Sequence, residues 1–203
     1  MIEEFHKLYK EVYQQEPGYI DPVYNGSQIQ SEFILAWNEL IELISSTEGK
    51  LSFLEIGAYR GVWPLMLSFV CEKLEKEFEY TTVTWLEQDP NNVAIHKVRE
   101  YYQSKNLTFN LISQNSQLAS TKELLKESYD IVFIDADHRY DGVLQDIKLY
   151  AGLATRLLMF HDIRPKEVNS SCGVYQAIVD SGIELDKEIV TNPNIMGIGL
   201  KFI

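Results

Sequence analysis

The residues best suited to chemistry fall in five short segments. LEIGAYRG carries Glu55, Gly57 and Gly61; WLEQDP carries Glu87; SQNSQ carries Asn115; IDADH carries Asp135 and His138; FHD carries His161 and Asp162. Gly57 and Gly61 stand four apart, and small residues at a turn let a ligand approach the main chain closely. A dinucleotide fingerprint needs G-x-G-x-x-G, and Ala58, Tyr59 and Arg60 break that pattern. No Gly-Lys-Ser/Thr follows, so a Walker phosphate loop is excluded as well. What remains is E-x-G-x-x-x-G. A carboxylate just before the turn is poorly placed for a pyrophosphate and suits a ligand carrying an ammonium group and a sulfonium; capping of local main chain by Glu55 is the other reading. Glu87 can accept both hydroxyls of a ribose. Asp89 competes for that role, although Pro90 behind it suits the opening of a helix. Asn115 can bond an adenine edge, or Ser113 to Ser116 can simply cap the next helix.

The surrounding pattern brings these segments together. From Leu51 onward, short apolar runs alternate with helical stretches. LSFLEIG, TTVTWLE, LTFNLIS, DIVFID and RLLMFHD read as strands. Helices are expected near Pro64 to Lys76, Asn91 to Tyr102, Leu118 to Lys126, Tyr140 to Tyr150 and Val174 to Val179. Such alternation implies an α/β fold with a mostly parallel sheet and helices on both faces. The closing segments IELDKEIV and IMGIGLKFI have no clear helix between them and read as an antiparallel pair, giving seven strands. Ligands of such sheets bind beyond the carboxyl ends of the strands, where strand order reverses. All five segments sit at such ends. Upstream, Phe33, Trp37, Leu40, Ile41 and Ile44 recur at helical spacing. EPGYIDPVYNGS before them reads as a loop, either a surface connection or a substrate lid. The expected organisation is a helical extension over 1–48 and one α/β unit over 49–203.

The bulk numbers narrow the class. A chain of 203 residues suits one domain. Acidic residues number 30 against 18 basic ones, for a net charge of -12, which repels nucleic-acid backbones. Two cysteines, Cys71 and Cys172, form neither a metal pair nor a disulfide framework. No apolar run approaches the roughly 18 residues that span a bilayer, and the charged N-terminus does not read as a signal peptide. A cytoplasmic protein without nucleic-acid or membrane partners is expected. The tyrosines near the N-terminus would suit a contact between copies in a homo-oligomer.

From LEIGAYRG through YDIVFIDADHRYDGVLQDI, LMFHDI and GVYQAI, the chain resembles the class I methyltransferases. It is similar above all to the metal-dependent small-molecule O-methyltransferases of the catechol, caffeoyl-CoA and sugar or macrolide types. The resemblance covers about Leu51 to Ile203. It implies a Rossmann-like fold and S-adenosylmethionine held by Glu55, Gly57, Ala58, Gly61, Glu87, Asn115 and Asp135. It also implies a divalent cation, Mg²⁺ or Mn²⁺, at Asp135, His161 and Asp162, and His138, three residues after Asp135, as a base. The family's usual serine or threonine after the second glycine is replaced here by Trp63–Pro64.

The chemistry is consistent with that likeness. Asp135 and Asp162 would end adjacent strands roughly 5 Å apart, within reach of one hard cation. A neutral imidazole suits proton removal near neutral pH. The plainer alternatives are a turn-capping Asp162, a His161 packed on the sheet and a His138 that merely opens a helix. The leading expectation is transfer of a methyl group to a hydroxyl of a small molecule. A metal-independent N- or C-methyltransferase and a non-catalytic S-adenosylmethionine-binding module are the alternatives.

Overall fold

The computed structural model describes residues 2–13, 28–86, 93–164, 166, 172–190 and 197–203. Two helices, α1 (Ile2–Tyr13) and α2 (Gln28–Ser46), precede the sheet. Then follow β1 (Leu51–Ile56), α3 (Val62–Lys73), β2 (Phe78–Val83), α4 (Val93–Ser104), β3 (Thr108–Ile112) and the single turn α5 (Ala119–Lys122). After these come β4 (Tyr129–Ile134), α6 (Tyr140–Tyr150), β5 (Ala154–His161), α7 (Val174–Asp180), β6 (Lys187–Ile189) and β7 (Ile198–Phe202).

The seven strands lie in the order β3-β2-β1-β4-β5-β7-β6. β1 to β5 run parallel, and β7 is antiparallel to both β5 and β6. Strand order therefore reverses between β1 and β4, which opens a crevice at their carboxyl ends.

The two-residue period of the strands divides the core. Phe53, Ile131, Phe133, Leu157 and Met159 point to one face, where they meet side chains of α1 to α4. Their neighbours Leu54, Val132, Ile134, Leu158 and Phe160 point to the other, under α6 and α7. Apolar residues at successive positions let the central strands be buried on both sides. The upstream helices share this core. Phe5, Tyr9 and Tyr13 recur every four residues along α1, and with Trp37, Leu40 and Ile44 of α2 they join the cluster that includes Leu51 and Phe53. Among the described residues, no helix is long and apolar enough to cross a membrane.

Three elements differ from the expected boundaries. β2 starts at Phe78 and stops at Val83, so Thr84, Trp85 and Leu86 lie beyond the sheet. The helix expected over Leu118 to Lys126 shrinks to α5, because only Thr121 of its four residues is buried. Of IELDKEIV only Lys187–Ile189 pairs as a strand. Ile183 and Leu185 pack instead against the α6–α7 side of the core.

Candidate functional site

A cleft of about 580 Å³ opens at the carboxyl ends of β1 to β4. That volume lies in the range of small-molecule sites. Its walls come from Gly57 and Tyr59 after β1, Trp85 and Leu86 after β2, Asn115 to Gln117 after β3 and Asp135 to Arg139 after β4.

The glycine turn is shaped by the protein's own crowding. Gly57 has φ 97° and donates its N–H to the Val83 carbonyl at 2.8 Å. A Cβ added there would lie 2.2 Å from the Asp135 carbonyl oxygen. Gly61, with φ 77°, donates to the Ala58 carbonyl at 2.7 Å and has Ile95 of α4 pressed against it, 2.9 Å from an added Cβ. The first glycine lets the turn leaving β1 pass close to the chain leaving β4, and the second lets α3 pack on α4. Between them Tyr59 adopts φ 43°, a costly conformation for a side-chain-bearing residue. Its ring is exposed on the cleft edge. Tyr13 of α1 donates to the Arg60 carbonyl at 2.9 Å and so ties this turn to the upstream helices.

Glu55, Asp135 and His161 share one face of the sheet, since each follows its strand's alternation from Phe53, Phe133 and Met159. Glu55 is buried beneath the cleft rather than lining it. Burial drives its carboxyl well above the usual range, and the charge of Asp135 adds to that, against the opposing Tyr80 and Thr82 hydroxyls. Its Oε2 has no hydrogen-bond partner.

One row further out, four side chains meet. His161 Nδ1 lies 3.1 Å from Asp135 Oδ1 and 3.7 Å from Asp162 Oδ1. His138 stands across both carboxylates, with Nε2 at 3.4 Å from Asp135 Oδ1 and Nδ1 at 3.1 Å from Asp162 Oδ2. Burial would raise the Asp135 pKa, but His161 and His138 outweigh it and hold the carboxyl below its usual value. The hydrogen bond to Asp135 raises the His138 pKa despite partial desolvation. Asp162 sits at φ 54°, which turns the chain sharply off β5. The Gly173 N–H, at the start of α7, donates to the His138 carbonyl at 2.7 Å and holds the segment in place.

Among the described residues, no set of three His, Cys, Asp or Glu side chains gathers its donors for a metal ion. The imidazoles and carboxylates of this cluster face one another instead.

Of the residues singled out in the sequence, Gly57, Asn115, Asp135 and His138 line the cleft. Ala58 and Gly61 are buried in the turn behind it. His161 and Asp162 join Asp135 and His138 in the cluster. Glu87 lies outside the described residues, as do the EPGYIDPVYNGS segment and Asp89. Sequence reasoning did not single out Trp85, Gln117 or Asp137. Gln117 Nε2 donates to Asp137 Oδ2 at 2.9 Å, and Arg139 grips the same carboxylate at 2.7 Å. That grip holds the Asp137 carboxyl down at about 2.

Comparison with known proteins agrees with this geometry. Residues 54–163, more than half the chain, match the family model described as a methyltransferase domain. No curated protein matches the chain. Among solved structures, it is similar to S-adenosylhomocysteine-bound PaMTH1 methyltransferase from Podospora anserina, at 17% identity and a TM-score of 0.60, covering 97% of this chain and 86% of that one. It is also similar to an O-methyltransferase from Bacillus cereus in complex with S-adenosylhomocysteine, at 15% identity and a TM-score of 0.58, with coverage of 99% and 89%. S-adenosylmethionine-bound magnesium protoporphyrin IX methyltransferase from Synechocystis matches at 12% identity and a TM-score of 0.59, with coverage of 97% and 90%. At these identities the likeness is one of fold, and together with the family match it establishes that the chain belongs to the methyltransferase-domain family, with the Rossmann-like fold of the class I enzymes.

Proposed function

We propose that the chain transfers a methyl group from S-adenosylmethionine to a hydroxyl of a small molecule. The observation that carries this reading is the Asp135–His138–His161–Asp162 cluster on the rim of the cleft, beside the glycine turn. S-adenosylmethionine supplies a methyl carbon on a sulfonium; the hydroxyl oxygen displaces the thioether, which leaves as S-adenosylhomocysteine. The methyl donor would be held by the main chain around Gly57 and by Asn115 and Asp135. The acceptor's proton goes to His138, whose imidazole borders the cleft. Asp162 accepts from the Nδ1–H and orients the ring, and Nε2, the more loosely held nitrogen at 3.4 Å from Asp135, is the one that takes the proton; the two carboxylates then stabilise the imidazolium.

Three members of the cluster, Asp135, His161 and Asp162, carry donor types that suit a divalent cation such as Mg²⁺ or Mn²⁺, although their donors are not gathered for one here. Asp135, His161 and Asp162 would hold it, and it would supply positive charge to the developing alkoxide. A metal-independent methyltransferase is the second reading. It is favoured by His138 itself, a base on the cleft wall that can take the proton without help from a metal.

Calorimetry tests the first claim. S-adenosylhomocysteine is expected to bind in the micromolar range and NAD not at all; no heat at millimolar S-adenosylhomocysteine would sink the reading. EDTA separates the two mechanisms. Turnover that falls in EDTA and returns with Mg²⁺ or Mn²⁺ supports the metal, and an unchanged rate removes it.

A further inference from the structure

Three side chains of α6 converge on the loop that walls the cleft after β3. The Tyr150 hydroxyl donates to the Ser116 carbonyl. Gln145 Nε2 donates to the Gln117 carbonyl at 3.4 Å. Asp146, between them, faces the Ser116 side chain. Asp146 is fully buried, and neither of its carboxyl oxygens has a hydrogen bond of normal geometry. Its position belongs to the helix's apolar stripe, with Val143, Ile147 and Tyr150 all buried at the neighbouring stripe positions. A leucine there would continue the stripe. A buried acid without a full partner works against folding, so packing does not account for it.

We infer that Asp146 is a positioning residue for the methyl donor: through Ser116 it sets where Asn115 and Gln117 stand on the cleft wall. The inference rests on the cleft being the S-adenosylmethionine site. The loop has further ties that make a small displacement felt. The Asn115 side chain accepts the Gln117 N–H at 2.9 Å, and Thr121 donates to the Asn115 carbonyl at 2.7 Å.

The position also has an electrostatic side. The titratable groups facing Asp146 are Asp137, from the loop after β4, and Tyr150, one turn along its own helix. Burial lifts Asp146 to about 7, with the Asp137 charge adding to the rise and Ser116 opposing it. Below that value the acid is neutral and tolerates Asp137 behind the wall. Above it, a second carboxylate stands behind the Asp137–Arg139 pair, and a donor that fills the cleft removes solvent that screens the two acids from each other. Donor affinity therefore falls as pH rises through neutrality.

The test is calorimetric titration with S-adenosylhomocysteine between pH 6 and 8.5. Wild type is expected to lose about three- to tenfold in affinity over that range, within the limit of about tenfold per pH unit for one linked proton. Asp146→Asn keeps the shape and removes the charge, so it should bind within about threefold of wild type at pH 6 and show a flat profile. Asp146→Leu should weaken binding about tenfold at every pH without lowering the thermal midpoint. A wild-type slope that survives in Asp146→Asn, or wild-type affinity in Asp146→Leu, overturns the inference while leaving the site reading intact. Should the leucine variant fail to fold, Ser116→Ala decides in its place, with unchanged affinity counting against the inference. Absence of binding by wild type itself sinks the site reading and this inference with it.

Discussion

The two ends of the central strands are built on opposite terms. At the amino ends, Asp130 of β4 accepts the Ser52 N–H and hydroxyl of β1, each at 2.8 Å, and the Arg156 guanidinium of β5 at 3.0 Å. Glu79 of β2 is met by Lys50 and Lys126. Charges there close on neighbours and main chain. At the carboxyl ends of the same strands, Glu55 keeps an orphaned oxygen, and Asp135 and Asp162 crowd around two imidazoles. The backbone there turns through left-handed conformations at Gly57, Tyr59 and Asp162. Cohesion is concentrated at one edge of the sheet, and strain and perturbed acidity at the other, where a ligand can use them. Identical strands serve both purposes because their length separates the two sets of groups.

Substitutions at the two ends should separate along the same line. The largest effect is expected from Gly57→Val. Its Cβ would collide with the Asp135 carbonyl, and its φ disfavours a β-branched residue. Binding of S-adenosylhomocysteine should vanish, and the protein should lose several kcal/mol of stability or fail to accumulate; near-wild-type calorimetry would contradict the close approach of Gly57 to the end of β4 described above. Next comes His138→Ala, which on an aliphatic hydroxyl acceptor should cut turnover by about 10² to 10⁴, the usual worth of a positioned base. Affinity for S-adenosylhomocysteine and the urea midpoint should hardly change. Equal turnover would leave His138 as a surface residue opening α6. The smallest effect belongs to the other edge. Asp130→Ala should lower unfolding free energy by about 1–3 kcal/mol, since it strands hydrogen-bond donors of Ser52 and Arg156. Turnover should stay within about twofold; a large catalytic loss would show that the two ends are not independent.

The carboxyl-end half of this contrast was legible in the sequence, and the amino-end ties, which join residues 26 to 78 positions apart, were not. The strand ends carrying Glu55, Asp135 and His161 were readable because β1, β4 and β5 are buried on both faces, and an apolar run broken by an acid or histidine marks where burial stops. β2 was harder to read. TTVTWLE continues as an apolar run through Trp85 and Leu86, yet those residues line the cleft instead of the core. Hydrophobicity reports removal from water and is silent on whether protein or ligand removes it. Gly57 and Gly61 were visible as a turn, but the reason for each lies in residues distant in sequence: Asp135 for one, Ile95 for the other. The mutual facing of His138 and Asp162 likewise depends on tertiary geometry. Asp146 did leave a trace, as a lone acid on the apolar stripe of α6. Reading it required knowing that Ser116, thirty residues earlier, stands opposite.

The antiparallel insertion of β7 between β5 and β6 bears on how the molecule is made. On the ribosome, β1 to β5 and α7 emerge well before residues 198–202. Until those arrive, β5 keeps a long bare edge of Leu157, Leu158, Met159 and Phe160, and β6 has no strand beside it at all. Such an edge is an invitation to pair with another chain. The nascent protein is thus open to pairing with another chain until β7 is in place, and a lesion that delays or removes β7 would be expected to show first as poor yield from cells rather than as altered catalysis.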